Sequence, residues 1–216
     1  MKTKVRTFLA LLFGFTTGGS LLLAASNFSV QSGGISIGTQ NTATAGTSVA
    51  PWTVNEIITA AGTLALTDTD GTPLQSPTGV PNYTSGSWIT KTVLNNSGVL
   101  WTSFEIELQQ ILGTPSPEGD GLSFAQGAGL TFTSSVFTTI TRADITRDYL
   151  NFSGGSVANG ASVSFTFAVT DNTPQSPVYI SQTPNRAEIG VPDAGSTGLL
   201  FLLGLAGLLS LKRKLR

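Results

Sequence analysis

Two residue types are missing from the chain altogether, cysteine and histidine. Without cysteine there are no disulfides and no thiolate nucleophile. Without histidine there is no imidazole base, so a Ser-His-Asp triad is excluded, and with both absent the usual zinc and copper ligands are gone. A Ser–Lys dyad would have to use Lys91, the only lysine between Lys4 and Lys212. Charge is scarce too, at 11% of residues. With 40% hydrophobic residues the chain can nevertheless bury a core, which argues against global disorder. Abundant Thr, Val, Phe and Ile with little charge favour strands over helices.

The formal charge of −1 conceals a segregation. Seven of the eleven basic residues lie in the tails: Lys2, Lys4, Arg6, Lys212, Arg213, Lys214 and Arg216. Between residues 27 and 192 only Lys91, Arg142, Arg147 and Arg186 face eleven acidic residues, a formal −7. Such a body repels phosphate backbones, so no nucleic-acid partner is expected.

Each tail reads as a targeting element. Lys2, Lys4 and Arg6 precede the apolar run from Phe8 to Phe13, and Leu21-Leu22-Leu23 leads into Ala24-Ala25-Ser26. A basic flank, an apolar centre and small exit residues make a secretory signal over residues 1–26, a substrate for signal peptidase cut after Ala25 or Ser26. At the other end, Ala194 to Leu211 is 18 residues without a charge, followed by the basic 212–216. That length just spans a bilayer core of about 30 Å. The terminal cations should stay cytoplasmic, which leaves residues 27–190 outside. A buried amphipathic helix is a poor alternative, because the run is apolar all round.

Val191-Pro192-Asp193-Ala194-Gly195-Ser196-Thr197, the Leu/Gly-rich stretch 198–211 and the basic end together resemble a PEP-CTERM-type sorting signal, most nearly its VPDSG variant. The pattern has Ser where this chain has Ala194. The resemblance implies recognition by an exosortase, a multi-pass membrane transpeptidase-like enzyme of exopolysaccharide-making Gram-negative bacteria. It implies that Val191, Pro192, Asp193, Gly195 and Ser196 are the recognised segment, as substrate and not as catalyst. The middle of the chain is similar to domains that precede such tails. It has the asparagine turn Asn95-Asn96-Ser97-Gly98, then Trp101-Thr102-Ser103-Phe104-Glu105-Ile106-Glu107-Leu108. Asp120 to Phe124, Phe152 to Gly155 and Gly160 to Phe165 continue the likeness, which implies a β-sandwich.

Residues 27–49, rich in Gly, Ser, Thr and Ala, read as a flexible arm with an edge strand at Ile35 to Ile37. Beyond them, turn signals alternate with short apolar runs. In Phe104-Glu105-Ile106-Glu107-Leu108-Gln109 and in Val163 to Val169 large apolar residues recur at every second position, the period of a strand with one face on a core. Residues 89–94, 130–137 and 178–181 are further expected strands. Thr141 to Tyr149 is the single helical candidate.

The residues that could carry chemistry each have a plainer reading. Glu105 and Glu107 form an i, i+2 carboxylate pair on one strand face, which suits a glycosidase less than a solvated surface. Asp68 and Asp70 before Gly71, and Glu118 and Asp120 before Gly121, resemble openings of calcium loops but lack the remaining ligands, so they read as turns. Calcium is the one candidate cofactor. Trp52, Trp88 and Trp101 with Tyr83 could stack on sugar rings. Trp101 reads as core, whereas Trp88, after Asn82 to Ser87, reads as a loop residue that with Tyr83 could contact carbohydrate. Asn-x-Ser/Thr sequons stand at Asn27, Asn82, Asn95 and Asn151.

The expected architecture is all-β: an antiparallel β-sandwich, jelly-roll or immunoglobulin-like, over residues 50–187. An N-terminal signal helix precedes it, and a sorting segment with a C-terminal transmembrane helix follows over 188–216. The expected role is a non-catalytic surface or matrix protein associated with extracellular polysaccharide, with a carbohydrate-binding module as the alternative. Catalytic and metal-binding residues are expected to be absent.

Overall fold

The computed structural model describes residues 26–68, 85–117, 119–125, 128–144, 146–173 and 177–186. The expected signal and transmembrane helices lie outside these residues. Ten strands form: β1 (Ser26–Asn41), β2 (Trp52–Asp68), β3 (Gly86–Asn95), β4 (Phe104–Gln109), β5 (Leu122–Ser123), β6 (Thr133–Ser134), β7 (Thr139–Asp144), β8 (Arg147–Ser153), β9 (Ser162–Asp171) and β10 (Val178–Pro184). The all-β expectation holds. Instead of two separate sheets, all ten strands join one sheet in the order β5-β9-β3-β2-β10-β4-β8-β7, with β1 on β2 and β6 on β9. Among the described pairings only β2–β3 is parallel.

The single sheet arises from β2, whose 17 residues exceed the usual strand length. Its first half, Trp52 to Ile58, pairs with β3. Its second half, from Gly62 to Leu66, pairs with β10. β1 runs antiparallel along the whole of β2. The ribbon thus carries the sheet from one wing into the other, and the sheet curls into a half-barrel.

β1 and β2 slip register at three points, between Val30 and Ser32, between Gly33 and Ile35 and between Ile37 and Gln40, and the middle one needs glycine. Gly33 has φ +81°, and a Cβ there would overlap the Ala61 carbonyl. A Cβ on Gly62 would stand 2.6 Å from the Ser32 carbonyl oxygen. Only glycine permits both the left-handed backbone and the close approach. The flexible arm expected over residues 27–49 is therefore corrected. Its glycines serve a strand bend, and Phe28 and Ile35 bury their side chains.

The curl folds the wings over one core. Phe165 of β9 stacks on Phe104 of β4 at 4.8 Å between ring centroids, meets Phe152 of β8 edge-on at 4.7 Å, and lies 6.1 Å from Phe137. No ladder joins β9 to β4 or β8, so these contacts hold the wings face to face through side chains alone. Trp101 is fully buried against Phe104, and its indole N–H donates to Ser97 Oγ. The Asn95 amide donates to the Val99 and Val157 carbonyls, fixing the turn before it.

β4 and β9 lie where the period-two pattern puts them, as do β3 and β10. The helical candidate at Thr141 to Tyr149 is instead the β7–β8 hairpin, because β4 offers β8 a ladder through Phe104–Phe152 and Ile106–Leu150. The strand expected at 130–137 shrinks to Thr133–Ser134. There Ser134 Oγ accepts from the backbone N–H groups of Val136 and Phe137, which turns the chain away.

Candidate functional site

β4 has an inner and an outer face, and both are covered. Phe104, Ile106 and Leu108 point into the core, so Glu105, Glu107 and Gln109 share the opposite face. The solvated carboxylate pair expected there is corrected, since both glutamates are only 4% exposed. Arg147, on the adjacent β8, bridges them: Nη1 reaches Glu105 Oε1 at 2.7 Å and Glu107 Oε2 at 2.9 Å, while Nη2 reaches Glu105 Oε2 at 3.2 Å. Arg186 binds the same Glu105 Oε1 and reaches Glu107 Oε2 at 3.3 Å. Gln109 donates to the last oxygen, Glu107 Oε1, at 3.0 Å.

All four carboxylate oxygens thus accept from neighbours, and the two charges of each sign cancel. Partial burial opposes the Arg147 charge, but hydrogen bonds to Glu105 and Glu107 more than offset it, raising its pKa above the ordinary value. Its guanidinium also lies 4.0 Å from the centroid of the Tyr149 ring.

The clamp also fixes where the chain leaves the body. Asn185 follows β10 with φ +50°. Its side-chain oxygen accepts from Thr102 N at 2.7 Å and its amide donates to the Leu100 carbonyl at 2.8 Å. Arg186 then locks onto Glu105 and Glu107. The polypeptide heading for the C-terminal segment is therefore tied to the body through two successive side chains.

A second ionic cluster sits inside the core. Glu56 shares its face of β2 with Val54 and Ile58, and Lys91 shares its face of β3 with Ile89 and Val93. Lys91 Nζ lies 2.7 Å from Glu56 Oε1, both side chains fully buried. Gln182 of β10, also fully buried, donates from Nε2 to Glu56 Oε2 at 2.8 Å. Gln182 Oε1 has no hydrogen-bond partner among the described residues. Burial lowers the Lys91 pKa from its ordinary value, and the Glu56 carboxylate only partly restores it. A lone lysine in phase with Ile89 and Val93 is the sequence signal for this cluster.

The remaining candidates disperse. Trp88, expected on a loop and available to carbohydrate, is instead on β3 and buried, with Phe132 meeting it edge-on at 5.9 Å. That corrects its assignment as a sugar contact; Tyr83 lies outside the described residues. Trp52 is buried as well, its indole N–H donating to the Thr44 carbonyl. Asp120 caps its own turn, accepting from Leu122 N and from Ser116 Oγ. Asp70 and Glu118 are outside the described residues, among which no three acidic side chains gather as a metal ion would need. Asn95 and Asn151 are buried.

Val191, Pro192, Asp193, Gly195 and Ser196 also lie outside the described residues, a few positions beyond Arg186. No curated protein and no solved structure matches the chain. A family model does match its end, over residues 190–215, and its description is the VPDSG-CTERM motif. The chain thus carries at its C-terminus a PEP-CTERM-like exosortase sorting signal.

Proposed function

We propose that this protein is a non-catalytic surface or matrix protein, exported, held at the membrane by its C-terminal segment, processed by an exosortase and then associated with exopolysaccharide. The observation that carries the reading is the sorting signal at residues 190–215. An apolar stretch with a basic end in the sequence supports a body outside the cytoplasm. The body's own chemistry supports a structural part: each oxygen of Glu105 and Glu107 accepts from Arg147, Arg186 or Gln109, the arrangement of a clamp. The carbohydrate-module alternative has lost Trp88 to the core.

The test follows the size and location of the full chain by immunoblot in a host that makes a cognate exosortase and in one that lacks it. The intact tail should yield a shortened form outside the inner membrane only when the enzyme is present. Pro192→Ala together with Asp193→Ala should leave the precursor in the membrane fraction. Equal processing without the enzyme, or with the altered motif, would overturn the sorting claim. Failure of the processed form to co-fractionate with exopolysaccharide would remove the matrix role alone.

A further inference from the structure

Glu56 holds two nitrogens of opposite chemical character on its two carboxylate oxygens. Lys91 Nζ, 2.7 Å from Oε1, is a nucleophile once neutral. Gln182 Nε2, 2.8 Å from Oε2, is the leaving group of a primary amide. All three side chains are fully buried, on β3, β2 and β10. Because both nitrogens rest on one carboxylate, they can be no farther apart than that bridge.

We propose that Lys91 and Gln182 condense into an intramolecular isopeptide bond, with Glu56 shuttling the proton. The Lys91 ammonium passes a proton to Glu56, and the neutral amine attacks Cδ of Gln182. Glu56 then returns the proton to Nε2. As the Nζ–Cδ bond forms, the Cδ–Nε2 bond breaks, and ammonia leaves with a second Nζ proton as ammonium, while the third Nζ proton stays on the new amide nitrogen. Glu56 ends as the carboxylate it began as. Nothing is oxidised or reduced, and no co-reactant is consumed.

Three physical features favour the reaction. Burial disfavours the Lys91 ammonium, which supplies the neutral amine. Enclosure holds the reacting groups together and keeps out the water that would compete for the amide. The amide oxygen of Gln182 has no hydrogen-bond partner among the described residues, so no hydrogen bond to it has to break. Glu56 is the weaker acyl donor, since its carboxylate would have to expel oxide or hydroxide. The product would join the β3 wing to β10 covalently in an exported chain that has no cysteine for a disulfide.

Lys91 being the only lysine between Lys4 and Lys212 makes the test simple. The purified full chain is denatured and digested with a lysine-specific endoprotease, which does not cut at an acylated lysine. The expected result is one uncut body on a denaturing gel. Further digestion should release a branched peptide that joins Lys91 to Gln182 and is lighter than its two components by one ammonia. Two fragments meeting at Lys91 would overturn the bond, and so would an uncut chain whose Gln182 peptide is free. Glu56→Gln keeps the side-chain shape and removes the proton carrier, so it should restore cleavage at Lys91. A linked Glu56→Gln chain would overturn the role of Glu56.

Discussion

Phe165 offers the sharpest test of how the curled sheet closes. Its ring is fully buried and touches Phe104, Phe152 and Phe137, three aromatic partners on other segments. Replacing a buried Phe by Ala costs about 3–5 kcal/mol through lost transfer energy and the cavity left behind. Each aromatic pair adds about 0.5–1.5 kcal/mol, so Phe165→Ala belongs at the upper end of the range. With a urea m-value of about 2 kcal/mol/M, the midpoint should fall by about 2 M. The assay is urea denaturation of residues 26–186 followed by tryptophan fluorescence, with Trp52, Trp88 and Trp101 all buried reporters. Val99→Ala, at a side chain 55% exposed, is the control and should move stability by less than about 0.5 kcal/mol. Phe104→Ala in the Phe165→Ala background should cost less than Phe104→Ala alone, since its stacking partner is already gone. A Phe165→Ala shift no larger than the control's, or strict additivity with Phe104, would mean the wings do not pack through this cluster.

The other expectations concern charge and backbone. Arg147→Met should destabilise the fold by about 1–3 kcal/mol, below the full cost of orphaning a buried charge because Arg147 is partly exposed. Adding Glu105→Gln to that chain should recover part of the loss in urea melts; no recovery would mean the pairing is not what Arg147 contributes. Gly33→Ala must overlap the Ala61 carbonyl in a left-handed backbone and should cost more than the roughly 1 kcal/mol of an ordinary Gly-to-Ala change, with a change near zero refuting the tight bend. In Gln182→Met the amide donor is gone, so Lys91 stays a free amine whose folded pKa lies below 10.5. The unfolded chain then binds more protons between that lowered pKa and 10.5, so stability should rise with pH across this window. Midpoints measured between about pH 7 and about pH 10 against a Lys91→Met/Gln182→Met chain would show it, and a flat or falling difference would contradict the sign.

How much of this was legible differs from element to element. The alternation in Phe104 to Gln109 announced β4 to the residue, because a strand beside a core leaves a mark of period two. The same alternation could not say that the far side was covered. Arg147 and Arg186, which shield Glu105 and Glu107, are 40 and more positions away in the chain. Trp88 is a parallel case. The stretch before it, Ser85-Gly86-Ser87, carries no large apolar residue, whereas Phe132, which covers it, arrives from a distant segment. Gly33, inside the expected arm, instead meets Gly62 at close approach, since only a partner strand shows how closely the backbone must come.

What the sequence determined by itself is local in origin. The sorting signal is a contiguous string of residues read by hydropathy and charge, and strand-forming tendency follows from side-chain shape and spacing. The tertiary structure decided what depends on meeting: the sharing of β2 between two wings, the clamp on β4, and the convergence of Lys91, Glu56 and Gln182 in one buried cluster. Those arrangements come from β-sheet curvature and pairing across long separations, for which a linear pattern carries no coordinate.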